Sequence, residues 1–100
     1  MEQPDPIIHQ PVRLQIMAAL GNLGSHEQVD FTFLRINLGL TDGNLGAHLL
    51  TLEQAGYIAV EKTFVARKPK TFIAPTAAGR RAFESHVAAL TAILKPKGLS

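Results

Sequence analysis

The apolar residues of this chain change their period twice, and few folds accommodate that order. Val12, Ile16, Leu20 and Leu23 follow one another at steps of four, four and three, with Met17 beside them, and Leu45, Leu49 and Leu52 repeat the pattern at four and three. Residues so spaced share one face of an α-helix. From Tyr57 the step drops to two: Ile58, Val60 and Phe64 alternate with Ala59, Glu61 and Thr63, with Lys62 the exception in register. Lys70–Ala74 follows, with Phe72 and Ala74 on one side. Two short alternating runs around a turn that holds Arg67, Lys68 and Pro69 predict a hairpin, without the strong Asn-Gly signal. Past Pro75 the helical step returns with Phe83, Val87, Leu90 and Leu94.

The boundaries of these segments carry their own signals. Pro11 suits the first turn of a helix, where its missing N–H costs little, and Gly21 and Gly24 end that helix. Thr41 and Thr76 are good N-caps, and Gly56, Pro96 and Gly98 are stops. Asp30–Leu40 reads two ways. Leu34, Ile36, Leu38 and Leu40 alternate as in a strand, whereas a short helix capped by Asp30 and burying Phe31, Leu34 and Leu38 fits equally well. With the helix, Gly39-Leu40 joins two short elements by a tight turn, the outline of a helix-turn-helix. The expected fold is then mainly α with a small β-hairpin: a three-helix core, a wing and a C-terminal helix. The expected divisions are an arm at 1–8, the winged helix-turn-helix at 9–75, a C-terminal helix at 76–95 and a tail at 96–100.

One hundred residues, 46% of them apolar and 18% charged, make one folded domain with a modest core. There is no cysteine, hence no disulfide, thiolate ligand or thiol nucleophile. His9, His26, His48 and His86 are too dispersed for a local zinc motif. No phosphate-cradling glycine loop, nucleophile elbow or spaced carboxylate pair is present, so neither enzyme, metal site nor cofactor is expected. The beginning carries acids and prolines where a secretory signal has a basic residue and an apolar run, and no apolar run can span a bilayer, so a cytoplasmic protein is expected.

The net charge of +2 hides an asymmetry. Lys62, Arg67, Lys68, Lys70, Arg80 and Arg81 crowd one stretch free of acids, while the seven acids up to Glu61 face only Arg13 and Arg35. Such a distribution fits a face that meets a polyanion, or equally a solvated basic hairpin.

The run Leu38-Gly39-Leu40-Thr41-Asp42-Gly43-Asn44-Leu45, with His48-Leu49 and Leu52-Glu53-Gln54-Ala55-Gly56-Tyr57-Ile58 after it, resembles the turn, recognition helix and first wing strand of MarR/ArsR-type winged-helix regulators, in their short single-domain branch. Pro11–Met17 resembles the first helix of that family, Arg67-Lys68-Pro69-Lys70-Thr71 its wing, and Thr76, Gly79, Arg80 and Phe83 the start of its last helix. The likeness runs from about Ile8 to Leu94 and resolves Phe31–Leu38 as a helix. It implies a homodimeric regulator of transcription, a repressor by preference, on a pseudo-palindromic double-stranded DNA operator.

On that reading the residues facing bases are Thr41, Asp42, Gly43, Asn44, Ala47, His48 and Thr51. Asn44 can pair with an adenine edge, Asp42 can accept from a cytosine amino group, Ala47 can touch a thymine methyl, and His48 can donate to guanine or phosphate. Asn44 and Asp42 can also merely cap the helix, and His48 can merely pack. The backbone contacts are Lys62, Arg67, Lys68 and Lys70 of the wing, with Arg13 and Arg35, while Arg80 and Arg81 either join the patch or stay solvated. Phe83, Val87, Leu90, Ile93 and Leu94 are the dimer residues, unless their stripe closes on the chain's own first helix. The chain departs from its relatives at Gly46, Ala47 and Leu50, where Ser and basic residues are common, so its recognition helix holds no Lys or Arg. An alternative therefore stands beside DNA binding: a winged helix used for protein contact.

Overall fold

The computed structural model describes residues 3–95, so the tail expected at 96–100, with its stops at Pro96 and Gly98, lies outside the described residues. The elements follow one another as α1 (Pro11–Gly21), β1 (Val29–Asp30), α2 (Phe31–Leu38), α3 (Asp42–Gln54), β2 (Ile58–Val65), β3 (Lys68–Pro75) and α4 (Ala77–Leu94). The order of three helices, hairpin and helix is the one the apolar periods imply. Asp30 caps α2 by accepting from the Thr32 N–H, and Thr41 and Thr76 cap α3 and α4 by accepting from Asn44 and Gly79. Each satisfies an N–H that the first helical turn would otherwise leave without a partner. Gly39 ends α2 at φ +65°, a left-handed conformation that reverses the chain into α3.

Leu34 of α2, Leu45, Leu49 and Leu52 of α3, and Ile16, Met17 and Leu20 of α1 close on Ile58 and Ile73 of the sheet as one core. Ile8, ahead of α1, is wholly buried in it as well. The segment expected as an irregular arm thus puts one of its residues into the core. Its turn is held by the Asp5 carboxylate, whose Oδ1 accepts from the N–H groups of Ile7 at 2.8 Å and Ile8 at 3.2 Å.

The sheet differs from expectation in two respects. Among the described residues it has three antiparallel strands in the order β1-β3-β2, the added one being only Val29 and Asp30 against Ile73 and Phe72. Two residues are too few to produce a readable alternation. The hairpin turn is also shorter than the sequence suggested: Val65 pairs with Lys68, and Lys68 and Pro69 belong to β3. Pro69 is tolerated because a two-residue turn makes Val65 and Lys68 the hydrogen-bonded pair, and the next residue along then turns its nitrogen away from β2. The two turn residues, Ala66 at φ +52° and Arg67 at φ +67°, both occupy left-handed backbone, as a type I′ turn demands. Neither residue favours it. Ala66→Asn is therefore expected to stabilise the fold by about 0.5–1 kcal/mol, raising the thermal midpoint by a few degrees in a melt followed by circular dichroism. An unchanged or lowered midpoint would count against this turn.

Candidate nucleic-acid interface

Burial of Leu45, Leu49 and Leu52 turns the opposite face of α3 outward, and Gly43, Asn44 and Ala47 are exposed there. A Cβ placed on Gly43 or Gly46 would meet nothing among the described residues, so no packing against them calls for glycine at either position. Thr41 and Thr51 are occupied locally: the Thr41 hydroxyl accepts from the Asn44 N–H at 3.1 Å, and the Thr51 hydroxyl donates to the Ala47 carbonyl at 3.3 Å. Asp42, at the start of α3, is 2.9 Å from Nε of Arg35 on α2. That pair ties the two helices across the turn and draws Arg35 toward a protein carboxylate.

Arg13 is also engaged within the protein. Its Nε donates to the Ile7 carbonyl at 2.6 Å, and its Nη1 lies 3.2 Å from Nδ1 of His48. Partial burial, and then the positive charge of Arg13, hold His48 below its ordinary value of 6.5. The remaining cations of the sequence reading lie on the wing. Lys62, Arg67 and Lys68 are exposed, and their side chains make no hydrogen bond or ion pair with other described residues. Lys70 instead reaches the Asp30 carboxylate at 3.1 Å. The Thr32 N–H and then Lys70 keep Asp30 below the usual carboxylate range. Arg80 donates to the carbonyl of Leu23 at 2.9 Å, and so braces the loop after α1. Arg81 is exposed.

The α4 stripe divides. Phe83 packs against the chain's own core, its ring where a Cβ added at Gly21 would touch it, and Leu90 is half-buried. Val87, Ile93 and Leu94 are exposed, Leu94 to 79%. The residues of α4 turned fully inward are Gly79, His86 and Ala89, so the inner face is smaller and more polar than the spacing implied.

Around His86 lies a polar cluster that the sequence reading missed. The Asp5 N–H donates to His86 Nδ1 at 2.9 Å, and the Tyr57 hydroxyl donates to the Asp5 carboxylate at 2.5 Å. The His9 ring meets the His86 ring edge to face. This bond to Asp5, with burial, raises the Tyr57 hydroxyl to about 12. Burial would raise Asp5, but the Tyr57 hydroxyl and the Ile8 and Ile7 N–H groups outweigh it and hold Asp5 low. Burial, and then His9, depress His86 against the opposing pull of Asp5. A histidine held low when folded takes up fewer protons than the unfolded chain, so its contribution to stability is complete above its ordinary value of 6.5 and is lost on acidification below it. The melting midpoint is expected to fall as pH drops through that window, and His86→Gln, which keeps an acceptor without titrating there, is expected to give a shallower fall. The same steepness in both proteins would remove His86 as the cause.

The sequence model of the "Winged helix DNA-binding domain" family matches residues 12–94. The chain belongs to that family. An uncharacterised protein of Methanocaldococcus jannaschii is 38% identical to it over 81 residues, covering 81% of this chain and 85% of the relative. Among solved structures, a transcriptional regulator homologue from Pyrococcus horikoshii OT3 superposes with a TM-score of 0.81 at 30% identity, covering 93% of this chain and 89% of that one. NadR, solved in complex with 4-hydroxyphenylacetate, superposes with a TM-score of 0.66 at 22% identity, covering 88% of this chain and 62% of NadR, and supports the fold alone. The resemblance carried by Leu38–Ile58 is thus borne out for family and fold, and with it the reading of the chain as a DNA-binding domain of the kind found in transcriptional regulators. Among the described residues, no helix is long and apolar enough to cross a membrane.

Proposed function

We propose that this winged helix DNA-binding domain works as a homodimeric, sequence-specific regulator of transcription, most simply a repressor that occupies its operator. The N-terminal turns of α3 enter the major groove, and the wing lies along the flanking backbone. The observation that carries the reading is the placement of exposure. Among the described residues no element covers the outward face of α3, while Lys62, Arg67 and Lys68 stand exposed on the hairpin that follows it. Gly43 and Gly46 support it. Each glycine within a helix costs about 1 kcal/mol relative to alanine. Open space around both suits close approach of a duplex. Val87, Ile93 and Leu94 supply an apolar patch that a twofold partner would cover.

Asn44 is the strongest candidate for direct base reading, since its side chain is exposed and can donate and accept together. Asn44→Ala is expected to change which duplexes are preferred, at a cost of about 1–3 kcal/mol on the best one. Fluorescence anisotropy with a duplex from the DNA upstream of its own gene, against a shuffled duplex, tests this. Equal binding of the two duplexes by the parent protein would reject sequence-specific reading.

A second reading rests on one feature. Leu50 is 53% exposed at the edge of a cavity of about 430 Å³ between α3 and the sheet, lined also by Phe31, Leu49 and Val60. On this reading the domain docks a protein and binds DNA weakly. Leu50→Ser separates the two, because it would abolish protein capture and leave duplex binding nearly unchanged.

A further inference from the structure

Arg13 and His48 are 35 positions apart, on α1 and α3, and their contact has a chemical consequence. A guanidinium has donors and no acceptor, and it stays protonated at any pH a protein tolerates. Where it meets a ring nitrogen of histidine, that nitrogen must be the acceptor. Nδ1 of His48 faces Arg13, so the proton of a neutral ring resides on Nε2. We infer that Arg13 is a specificity-setting positioning residue: it locks His48 in the Nε2–H form, so that the recognition helix offers its target a hydrogen-bond donor and never an acceptor at that position.

The inference rests on the proposal that α3 reads DNA, and it specifies what His48 reads. A neutral Nε2–H selects an acceptor, O6 or N7 of guanine, N7 of adenine or O4 of thymine in the major groove, and is refused by the amino group of cytosine. The helix has no Lys or Arg to make such a contact, so Arg13 acts there through His48 without leaving α1. Arg13 is itself held. Its Nε donates to the Ile7 carbonyl, in the turn that Asp5 fixes, so the side chain is anchored at one end before it touches His48 at the other. Partial burial and the adjacent cation disfavour the imidazolium, which keeps the ring in the form that can be locked.

Two measurements test this on the intact chain. Long-range proton–nitrogen NMR of the histidine rings, with His48→Ala for assignment, is expected to find His48 as the Nε2–H tautomer in the parent. A mixture is expected in Arg13→Met, which keeps the length of the side chain and removes the donor, and recovery of the single form in Arg13→Lys. Selection from a randomised duplex pool is the second measurement. One base position per half-site is expected to lose about fivefold to tenfold of its preference in His48→Ala. Arg13→Met should lose the same position, and Arg13→Lys should largely keep it. Melting curves of each variant show that the folded state is being compared. An Nδ1–H or charged ring in the parent overturns the inference, and so does a folded Arg13→Met that keeps the parent's preference. A parent protein that selects no duplex overturns the DNA-reading proposal itself, and with it the base-reading role of His48, which distinguishes that failure from a failure of the Arg13 contact.

Discussion

Replacing Arg67 and Lys68 together by alanine is expected to weaken duplex binding by about a hundredfold at low salt and to flatten its salt dependence by more than half. The sequence offered four wing cations per subunit, but Lys70 is held by Asp30, which leaves Lys62, Arg67 and Lys68 facing solvent. In the proposed homodimer, three contacts on each of two subunits release about six counterions' worth of charge, for a slope of log affinity against log salt of about −5 at 0.9 per contact. Removing two per subunit leaves a slope of about −2. The loss should be nearly the same on preferred and shuffled duplexes, because phosphates carry no sequence. Lys70→Ala serves as the internal comparison. It breaks a pair that links the β3 strand to the cap of α2, and should change the slope less than Lys68→Ala does. Anisotropy titrations at four salt concentrations measure all of this. A double variant with the parent's slope would take the wing off the DNA.

What the sequence disclosed and what it withheld follow a physical division. Helices and hairpin were legible because burial imposes a period along the chain, and the caps Asp30, Thr41 and Thr76 because a capping side chain acts within three residues of itself. The two-residue β1 and the burial of Ile8 were not, since neither leaves a repeat. The turn was read two residues too long because Ala66 and Arg67 lack the Asn or Gly that normally marks left-handed backbone. For the site, residue types were readable and partners were not. Asp42, Arg35, Arg13 and Lys70 each resembled a solvent-facing charge, and each meets a side chain from another element. The α4 stripe was ambiguous for the same reason, since a core and a dimer seam ask for the same spacing: Phe83 went inward, and Val87, Ile93 and Leu94 stayed out.

The substitution expected to damage the fold most is one of the smallest available, Gly79→Ala in the first turn of α4. The start of that helix lies so close to the hairpin base that a Cβ on Gly79 would sit 1.9 Å from the Tyr57 carbonyl oxygen and 2.8 Å from its carbon. Both are well inside van der Waals contact, and both atoms are backbone, so no rotamer change relieves them. Tyr57 cannot retreat cheaply. Its carbonyl accepts from the Thr76 N–H at 3.1 Å, its neighbour Gly56 accepts from the Thr76 hydroxyl at 2.7 Å, and its own hydroxyl is bonded to Asp5. Something in that knot must open, at about 3 kcal/mol or more. For a domain whose whole stability is about 5–15 kcal/mol, that is a large share. The thermal midpoint should drop by about 15 °C, since 1 kcal/mol is worth roughly 4–8 °C at this size. The helix propensity of alanine pulls the other way by about 1 kcal/mol, so a midpoint within a few degrees of the parent would mean that α4 can stand off the sheet without loss. The consequence reaches beyond stability. Arg80, the next residue, and Phe83, one turn on, fix α4 to the loop after α1 and to the core, and so set where Val87, Ile93 and Leu94 point. On the homodimer proposed above, a Gly79→Ala protein kept folded at low temperature is expected to associate more weakly than the parent in sedimentation velocity, because the patch offered to a partner moves with the helix that carries it.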